Sequence, residues 1–397
     1  MEKRRIIIVG AGPAGLACAI FLRRAGENPL VLEKSATPDS KPCGGGLTPR
    51  AVRRIKKVGL NLFIGQPFHQ VECNAEPWHY NLFTTRLPAL HIVRRADLNR
   101  SLREEAERAG VEVRRARVLR VRHDAPGFSL QTDTGDFACE ILAAADGAAS
   151  RVRRSLSGSV PRLAYAAMVD EVRTDRVPDR VIFDGGQVMP AGYGWVFPYG
   201  DGATNAGVFN LGTPATGTMR GLLDRYVQAR LSTDSRGRRV TGGIGVWGVY
   251  RLPTRVPALL LGDAGGFLDP LTGEGIYQAL FTGRAAAESI LAGGPAGARA
   301  AYERRTALLR ANYRLIAKLT DWAYRHPREG GRLLGLPFVH YPLTEALLRG
   351  MNTSMIALGA PAWLLLSLAR PVLLGHDHLS RMPPERAEAL YKKSKKV

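Results

Sequence analysis

Cysteine is scarce in this chain. The 397 residues include four cysteines, at positions 18, 43, 73 and 139, and no two of them stand in a C-x-x-C pair. This scarcity argues against a disulfide framework and favours reduced thiols in the cytosol. No signal peptide precedes the first apolar run, which starts near residue 5, so we expect a cytoplasmic protein.

Acidic residues are also few relative to basic ones. The chain has 35 Asp and Glu against 56 Lys and Arg, which gives a formal net charge of +21. This excess favours an anionic partner, such as a membrane surface or a phosphate-bearing substrate, although a general preference for arginine would also produce it. Nucleic acid is not expected as a partner, because no zinc pattern and no aromatic-rich RNA-binding motif accompanies the charge.

Long uncharged runs are nearly absent. The one candidate covers residues 350–369, but Pro361 interrupts it and Arg370 closes it, so a buried or membrane-surface helix is favoured over a transmembrane span. The basic tail at residues 392–396 suits the headgroups of anionic lipids. We therefore expect peripheral association with the inner face of the membrane.

The first strong pattern is a glycine fingerprint after an apolar strand. Residues 6–9 read Ile-Ile-Ile-Val, and Gly10, Gly12 and Gly15 then open an apolar helix. Gly10 allows the tight turn, Gly12 lets the backbone approach a pyrophosphate, and Gly15 allows close packing of helix on strand. Glu33 ends the next strand, where a carboxylate can bind ribose hydroxyls. The sequence therefore predicts a dinucleotide site.

A second glycine run follows at residues 41–48, which read Lys-Pro-Cys-Gly-Gly-Gly-Leu-Thr. Three consecutive glycines cost backbone entropy, and they make sense where the main chain must lie against a flat ligand. Cys43 beside them is either a redox or proton-relay thiol or a small residue packed on a ring. The sequence leaves both readings open.

Strands and turns dominate residues 160–250 and predict a largely antiparallel sheet. Within it, Tyr193, Trp195 and Phe197 alternate along one strand and therefore share one face. That face is either an ordinary aromatic core or the floor of a substrate pocket.

The chain then returns to the dinucleotide site. A buried strand at residues 258–261 ends at Gly262-Asp263, and a glycine-rich stretch leads into a helix from about Gly275 to Ala292. An acid at the end of a strand suits a ribityl hydroxyl, and a helix start suits a flavin carbonyl that becomes negative on reduction. An amphipathic helix is predicted at residues 301–325 and is assigned to core packing.

Five motifs in this order resemble the FAD-dependent oxidoreductases of the p-hydroxybenzoate hydroxylase superfamily: the glycine fingerprint, the R-A-D-L at Arg95, the D-G at Asp146, the Y-x-W-x-F-P, and the G-D at Asp263. The K-P-C-G-G-G-L and P-x-x-Y-x-W-x-F-P segments are similar to the geranylgeranyl reductase family. The resemblance covers residues 4 to 325 and implies an α/β fold. Its expected parts are a discontinuous Rossmann-like FAD-binding domain (1–70, 92–158 and 255–300), a mainly antiparallel β-sheet substrate domain (71–91 and 159–254), and a C-terminal helical region (301–397).

The resemblance also implies roles for individual residues. The pocket wall and substrate contacts would come from Tyr193, Trp195 and Phe197, and the catalytic candidates are Cys43, Tyr193 and Trp195. No metal is expected. The residues implied in FAD binding are Gly10, Gly12, Pro13, Ala14, Gly15, Glu33, Lys34, Cys43, Gly44, Gly45, Gly46, Arg95, Asp146, Gly147, Gly262, Asp263, Pro270, Gly273, Glu274, Gly275 and Ile276.

The implied reaction is saturation of C=C bonds in a prenyl chain by hydride from reduced flavin. Because the single dinucleotide fingerprint is assigned to FAD, NADPH or another donor, including a protein, would bind transiently. The alternatives are a flavin-dependent monooxygenase, a flavin-dependent halogenase and a non-enzymatic flavin-bound membrane adaptor. A halogenase needs a pocket lysine, and no lysine occurs from Val58 through Ala317.

Overall fold

The structure is a computed structural model that describes residues 1–35, 41–75, 78–83, 88–124, 126–159, 163–185, 192–210, 216–233, 237–245, 249–270 and 272–326. Side chains are described for these residues except 75, 78–83, 216–218, 319 and 323–325. The uncharged run 350–369, the basic tail 392–396 and Pro190 of the aromatic motif lie outside the described residues.

The described strands, in chain order, are β1 (Glu2–Val9), β2 (Leu30–Glu33), β3 (Gly46–Leu47), β4 (Gln66–Phe68), β5 (Gln70–Ala75), β6 (Trp78–Phe83), β7 (Leu90–Ile92), β8 (Glu112–Arg115), β9 (Val118–Asp124), β10 (Gly127–Thr132), β11 (Gly135–Ala144), β12 (Ala164–Arg173), β13 (Val181–Asp184), β14 (Gly192–Pro198), β15 (Ala203–Asn210), β16 (Arg238–Ile244) and β17 (Leu259–Leu260). The α-helices are α1 (Pro13–Arg24), α2 (Pro49–Lys57), α3 (Arg95–Arg108), α4 (Arg151–Ser157), α5 (Thr216–Leu231) and α6 (Ile276–Arg325).

The first sheet carries the glycine fingerprint at its centre. Its described strands run in the order β8-β2-β1-β11-β10-β9, with β17 added beside β11. β1 pairs in parallel with β2 and β11, and the antiparallel strands lie at one end. Because side chains alternate along β1, Ile6 and Ile8 enter the core that includes α1, α3 and α6, while Ile7 and Val9 enter the core on the opposite face.

The second sheet has the order β16-β12-β15-β14-β13-β5-β6 among the described strands. Every neighbouring pair is antiparallel except β13 and β5, which confirms the predicted mainly antiparallel sheet. α5 covers one face, where Leu223 and Val227 pack on Val169 and Val208. The opposite face carries the aromatic side chains of β14. The division into a discontinuous FAD-binding domain and an inserted sheet domain stays a prediction, and β7 pairs with β3 and β4 in a third, three-stranded sheet.

The last described helix, α6, consists of two helical segments that meet at a kink. Two helices were expected, one ending at Ala292 and one starting at residue 301; the two segments are confirmed, but they meet at Gly294 with no gap between them. Gly294 has φ +55° and ψ −160°, a conformation that favours glycine, and Pro295 begins the next helical segment without needing a backbone donor. The kink therefore needs no intervening loop. Within the described residues, every helix is too short or too polar to span a lipid bilayer.

Candidate active site

A cavity of about 940 Å³ is lined by residues of both large sheets. Every residue that the sequence predicted for the site lines this cavity, except Gly15 and Pro270. The motifs are spread over more than 260 positions of the chain, so the fold brings them together. The cavity has a polar end at the first sheet and an apolar end at the second.

The glycine fingerprint forms the tight turn between β1 and α1. Gly10 has φ +103°, and a Cβ there would lie 2.5 Å from the carbonyl oxygen of Ala145. A Cβ on Gly15 would lie 1.9 Å from the carbonyl oxygen of Gly10, so Gly15 serves packing within the turn. Gly12 is the N-cap of α1, and a Cβ there would meet no protein atom within 4 Å. Only Gly12 therefore leaves open space at the helix start, where an anion is stabilised.

Glu33 is the last residue of β2 and lies at the polar end of the cavity. Its Oε2 accepts a hydrogen bond from the N–H of Ala11 at 2.7 Å, and its Oε1 accepts one from the N–H of Ser35 at 2.9 Å. The carboxylate thus joins the fingerprint turn to the end of the second strand while it lines the cavity. Carboxylate oxygens have further lone pairs for ligand hydroxyls.

Asp263 lies in a short 3₁₀ turn that follows β17. Its carboxylate forms an ion pair with Lys41, a partner that the sequence analysis did not assign. Elsewhere in the cavity lining, the Arg95 guanidinium donates to Cys43 Sγ at 3.6 Å and to Asn99 Oδ1 at 2.9 Å. The Cys43 N–H donates to Met168 Sδ at 3.0 Å. Cys43 is therefore held between the Arg95 guanidinium of α3 and the Met168 side chain of β12.

One carboxylate oxygen of Asp146 accepts hydrogen bonds from the described residues, and the other does not. Its Oδ2 accepts the N–H groups of Arg151 and Val152 at 2.7 and 3.1 Å, which satisfies the start of α4. Its Oδ1 is buried and accepts no hydrogen bond from any described residue. Burial raises the pKa of this carboxyl above its ordinary value. A buried polar atom without a partner is costly, and an N–H or O–H of a bound ligand would satisfy it, as a hydroxyl of the predicted dinucleotide could.

The three-glycine segment lies directly on the aromatic strand. A Cβ on Gly44 would lie 2.6 Å from Phe197 Cε2 and 3.0 Å from Trp195 Nε1. Gly45 has φ +74°, and a Cβ there would lie 1.9 Å from the carbonyl oxygen of Val93. These close approaches explain why glycine occupies these positions, and they place the segment between the aromatic rings and the cavity.

Tyr193, Trp195 and Phe197 do share one face of β14, as predicted, but they are not equally open to the cavity. Trp195 and Phe197 are 5% and 7% exposed beneath the glycine segment, whereas Tyr193 is half-buried. The Tyr193 hydroxyl donates to the carbonyl oxygen of Thr272 at 2.9 Å. Phe209 packs beside Tyr193, with ring centroids 5.3 Å apart. Tyr193 is therefore the most open of the three aromatic rings, whereas Phe209 is buried.

The glycine-rich turn before α6 carries a desolvated carboxyl group. Thr48 donates to Glu274 Oε1, and Gln278 donates to Oε2 at 3.3 Å. Burial raises the pKa of Glu274 above its ordinary value of 4.5, although the positive charge of Arg50 opposes this change. Gly275 is the N-cap of α6, so the turn presents the start of a long helix to the cavity.

We expect the raised pKa of Glu274 to produce a pH-dependent loss of stability in the FAD-free protein. Above pH 4.5 the unfolded chain releases this proton while the native carboxyl retains it, so the free energy of unfolding falls as pH rises through the native pKa. Glu274→Gln removes this dependence. Chemical denaturation between pH 4 and 8 measures it, with Glu104→Gln at an exposed position of α3 as control. Identical pH profiles for wild type and Glu274→Gln would contradict the expectation.

Several residues with a part in the site were missed by the sequence analysis. They are Lys41 and Thr48, which bind Asp263 and Glu274, Asn205, which binds Trp195 and Gly44, and Arg153. Arg153 is fully buried and donates to the carbonyl oxygens of Ala148 and Ala264 at 2.7 and 2.6 Å, joining the turns that follow Asp146 and Asp263. α4 contains three arginines, at positions 151, 153 and 154, so no pattern in the sequence distinguished Arg153. No local pattern marked the others.

Comparison with known proteins points to the same cofactor as the geometry of the cavity. Residues 3–179 match the family model described as FAD binding domain. The chain is 32% identical over 324 residues to a menaquinone reductase of Mycobacterium tuberculosis, covering 72% of this chain and 76% of that protein. It is 30% identical over 302 residues to digeranylgeranylglycerophospholipid reductase 1 of Methanopyrus kandleri, covering 71% and 79%.

Among solved structures, the fold is similar to a geranylgeranyl bacteriochlorophyll reductase-like protein of Thermoplasma acidophilum. The TM-score is 0.72 at 22% identity, covering 93% of this chain and 96% of that one. At this identity the likeness concerns the fold, and it confirms the predicted α/β architecture with an FAD-binding domain.

Proposed function

The chain belongs to the geranylgeranyl reductase family of FAD-dependent oxidoreductases, and on that premise we propose that it saturates C=C bonds in the prenyl tail of a lipid. The observation that carries the proposal is the two-ended cavity. Its polar end offers Glu33, Asp146 and Asp263 to a dinucleotide, and its other end is apolar. The apolar lining of the second end comprises Val71, Cys73, Phe183, Tyr193, Phe209 and Ile244.

When bound in its reduced form, FAD supplies the hydride that an isolated alkene accepts poorly. The chain's own residues would hold the alkene close and exclude water, because such a reaction depends on tight positioning in a dry site. The half-buried ring of Tyr193, which packs beside Phe209, would restrain an apolar chain segment. The apolar wall thus suits a prenyl chain better than a polar substrate.

The proton for the second carbon has two candidate sources in the chain. The Tyr193 hydroxyl directs its proton to the carbonyl oxygen of Thr272, which opposes its use as a donor. Cys43 Sγ accepts a hydrogen bond from Arg95, which leaves the thiol proton free for transfer. We therefore propose that Cys43 Sγ provides the proton and that Arg95 stabilises the thiolate left behind.

The single dinucleotide fingerprint bears on the electron donor, and the net charge bears on where in the cell the protein acts. We propose that NADPH, or a protein donor, reduces the flavin in a transient complex, because the chain has one dinucleotide fingerprint. We also propose peripheral binding at the inner face of the membrane, where a lipid-tailed substrate resides. The net charge of +21 suits the anionic surface of that face.

A substrate panel tests the proposal. The purified holoprotein is photoreduced without oxygen and mixed separately with a menaquinone and with a digeranylgeranyl phospholipid. We expect at least one of these to re-oxidise the flavin and to gain two hydrogen atoms in its tail, as measured by mass spectrometry. Re-oxidation by neither lipid, with hydroxylation of added aromatic compounds only when oxygen is admitted, would favour the monooxygenase alternative.

The halogenase alternative gains no support from the cavity. Lys34 and Lys41 are the lysines among its described lining residues. Lys34 follows Glu33 at the polar end, and Lys41 is paired with Asp263. Neither stands in the apolar part, where a halogenase would need a free lysine to direct hypohalous acid.

A further inference from the structure

Asn205 occupies a place in the site that neither the motifs nor the proposed chemistry assign. It lies on β15, opposite Phe197 of the aromatic strand, and its side chain is fully buried. Its Oδ1 accepts the indole N–H of Trp195 at 2.7 Å. Its Nδ2 donates to the carbonyl oxygen of Gly44 at 2.8 Å and to the Tyr199 hydroxyl at 3.0 Å. The amide thus has a partner for its oxygen and for both of its N–H bonds.

The chemistry of the partners fixes the orientation of this amide. An indole N–H can only donate, and a backbone carbonyl can only accept, so Oδ1 must face Trp195 and Nδ2 must face Gly44. The indole cannot move aside easily, because it lies over Gly207, where a Cβ would come within 2.0 Å of Trp195 Cζ2. The Tyr199 hydroxyl in turn donates to Asp170 Oδ1 at 2.5 Å. These contacts with Trp195 and Tyr199 therefore hold the Asn205 side chain rigidly against the second sheet.

The hydrogen bond from Asn205 to the carbonyl oxygen of Gly44 sets the orientation of the Gly44–Gly45 peptide plane, which lies at the cavity. In a planar trans peptide the C=O of Gly44 and the N–H of Gly45 point in opposite directions. Because Asn205 binds that C=O from the side of the second sheet, the N–H of Gly45 points away from the sheet, and Gly45 lines the cavity. Glycine at both positions lets the backbone itself, and not a side chain, meet the ligand.

We propose that Asn205 is a positioning residue for the flavin: it holds the Gly44–Gly45 peptide so that the Gly45 N–H donates to an electron-rich atom of the bound ring. This inference rests on the proposed placement of the flavin ring beside the glycine segment, but not on the identity of the substrate. A donor fixed at this place stabilises the reduced, more electron-rich ring over the oxidised one. Asn205 thereby acts on the cofactor through the backbone and without touching it.

The test is a reductive titration of the holoprotein against a reference dye, which needs no prenyl substrate. Asn205→Leu keeps the branching of the side chain at Cγ and removes the hydrogen bonds. At a fixed dye ratio we expect the ratio of reduced to oxidised flavin to fall roughly 2- to 10-fold, the equivalent of one net hydrogen bond. We also expect an altered visible spectrum of the oxidised flavin. The side chain of Asn205→Ser is too short to reach Gly44, so this variant should change the ratio of reduced to oxidised flavin in the same direction.

Tyr199→Phe is the matched control. It removes another buried hydrogen bond of Asn205 but leaves the bond to Gly44, and Tyr199 does not line the cavity. We expect it to lower thermal stability without changing the flavin titration. Unchanged titrations and spectra in both Asn205 variants would overturn the proposal, as would failure of both to fold while Tyr199→Phe folds. A shifted titration in a protein that reduces no prenyl lipid would uphold it and reject the proposed function.

Discussion

Gly15→Ala is expected to abolish tight FAD binding and to destabilise the FAD-free protein. The new Cβ would lie 1.9 Å from the carbonyl oxygen of Gly10, which is backbone and cannot rotate away. The turn must therefore open, and overpacking of this kind costs about 1–3 kcal/mol, or roughly 1–4 °C in the melting temperature of a chain this long. Titration with FAD, followed by flavin fluorescence, and thermal melts of the FAD-free protein measure the two effects.

Gly12→Ala separates the role of the ligand from the role of the fold. Gly12 has φ −77° and ψ 179°, which alanine adopts readily, and its Cβ would meet no protein atom within 4 Å. The FAD-free variant should therefore melt like wild type. Its affinity for FAD should still fall roughly tenfold or more, because the methyl group occupies the space of the pyrophosphate. Wild-type affinity in Gly12→Ala would show that the phosphates lie elsewhere.

Ala166→Phe is expected to stop reduction of the prenyl chain while FAD binding is retained. Ala166 lies on β12 opposite Phe209 and lines the apolar end of the cavity, so a phenyl ring there would fill space assigned to the substrate. Displacement of the alkene by an ångström costs about 100-fold in rate, and we expect a loss of that size in lipid-dependent re-oxidation of the flavin. FAD affinity and photoreduction should be unchanged, since the polar end is untouched.

Ala166→Val provides the graded comparison. Its smaller side chain should cause an intermediate loss of rate with the same FAD affinity. Equal rates for wild type, Ala166→Val and Ala166→Phe would mean that the prenyl chain does not pass this wall. Loss of FAD from Ala166→Phe would instead mean that the flavin ring occupies the space here assigned to the substrate.

The polar end of the site was readable in the sequence because its geometry is local. Gly10, Gly12 and Glu33 lie within one strand-helix-strand unit, so their spacing already implies their arrangement. Asp263 was found because it ends a buried strand and precedes a glycine-rich helix start. In both cases the pattern of apolar residues determines where the backbone turns, and the turn determines what the side chain faces.

The contacts that support the site could not be predicted from the sequence, because they join distant parts of the chain. Asn205 and Gly44 are 161 positions apart, and Lys41 and Asp263 are 222 apart. The alternation of β14 gave the shared face of its aromatic residues, but not that the glycine segment would cover Trp195 and Phe197. Such contacts depend on how the two sheets pack together, which no period of two or of 3.6 residues encodes.

The most direct test of the account is a single turnover without oxygen. The photoreduced holoprotein is mixed with a slight excess of a prenyl lipid that re-oxidises it, and two quantities are counted: flavin oxidised and C=C bonds lost. We predict one saturated bond for each flavin oxidised, with no loss of bonds in the protein that was not photoreduced. Flavin that stays reduced until air is admitted, with every C=C bond of the lipid intact, would contradict it.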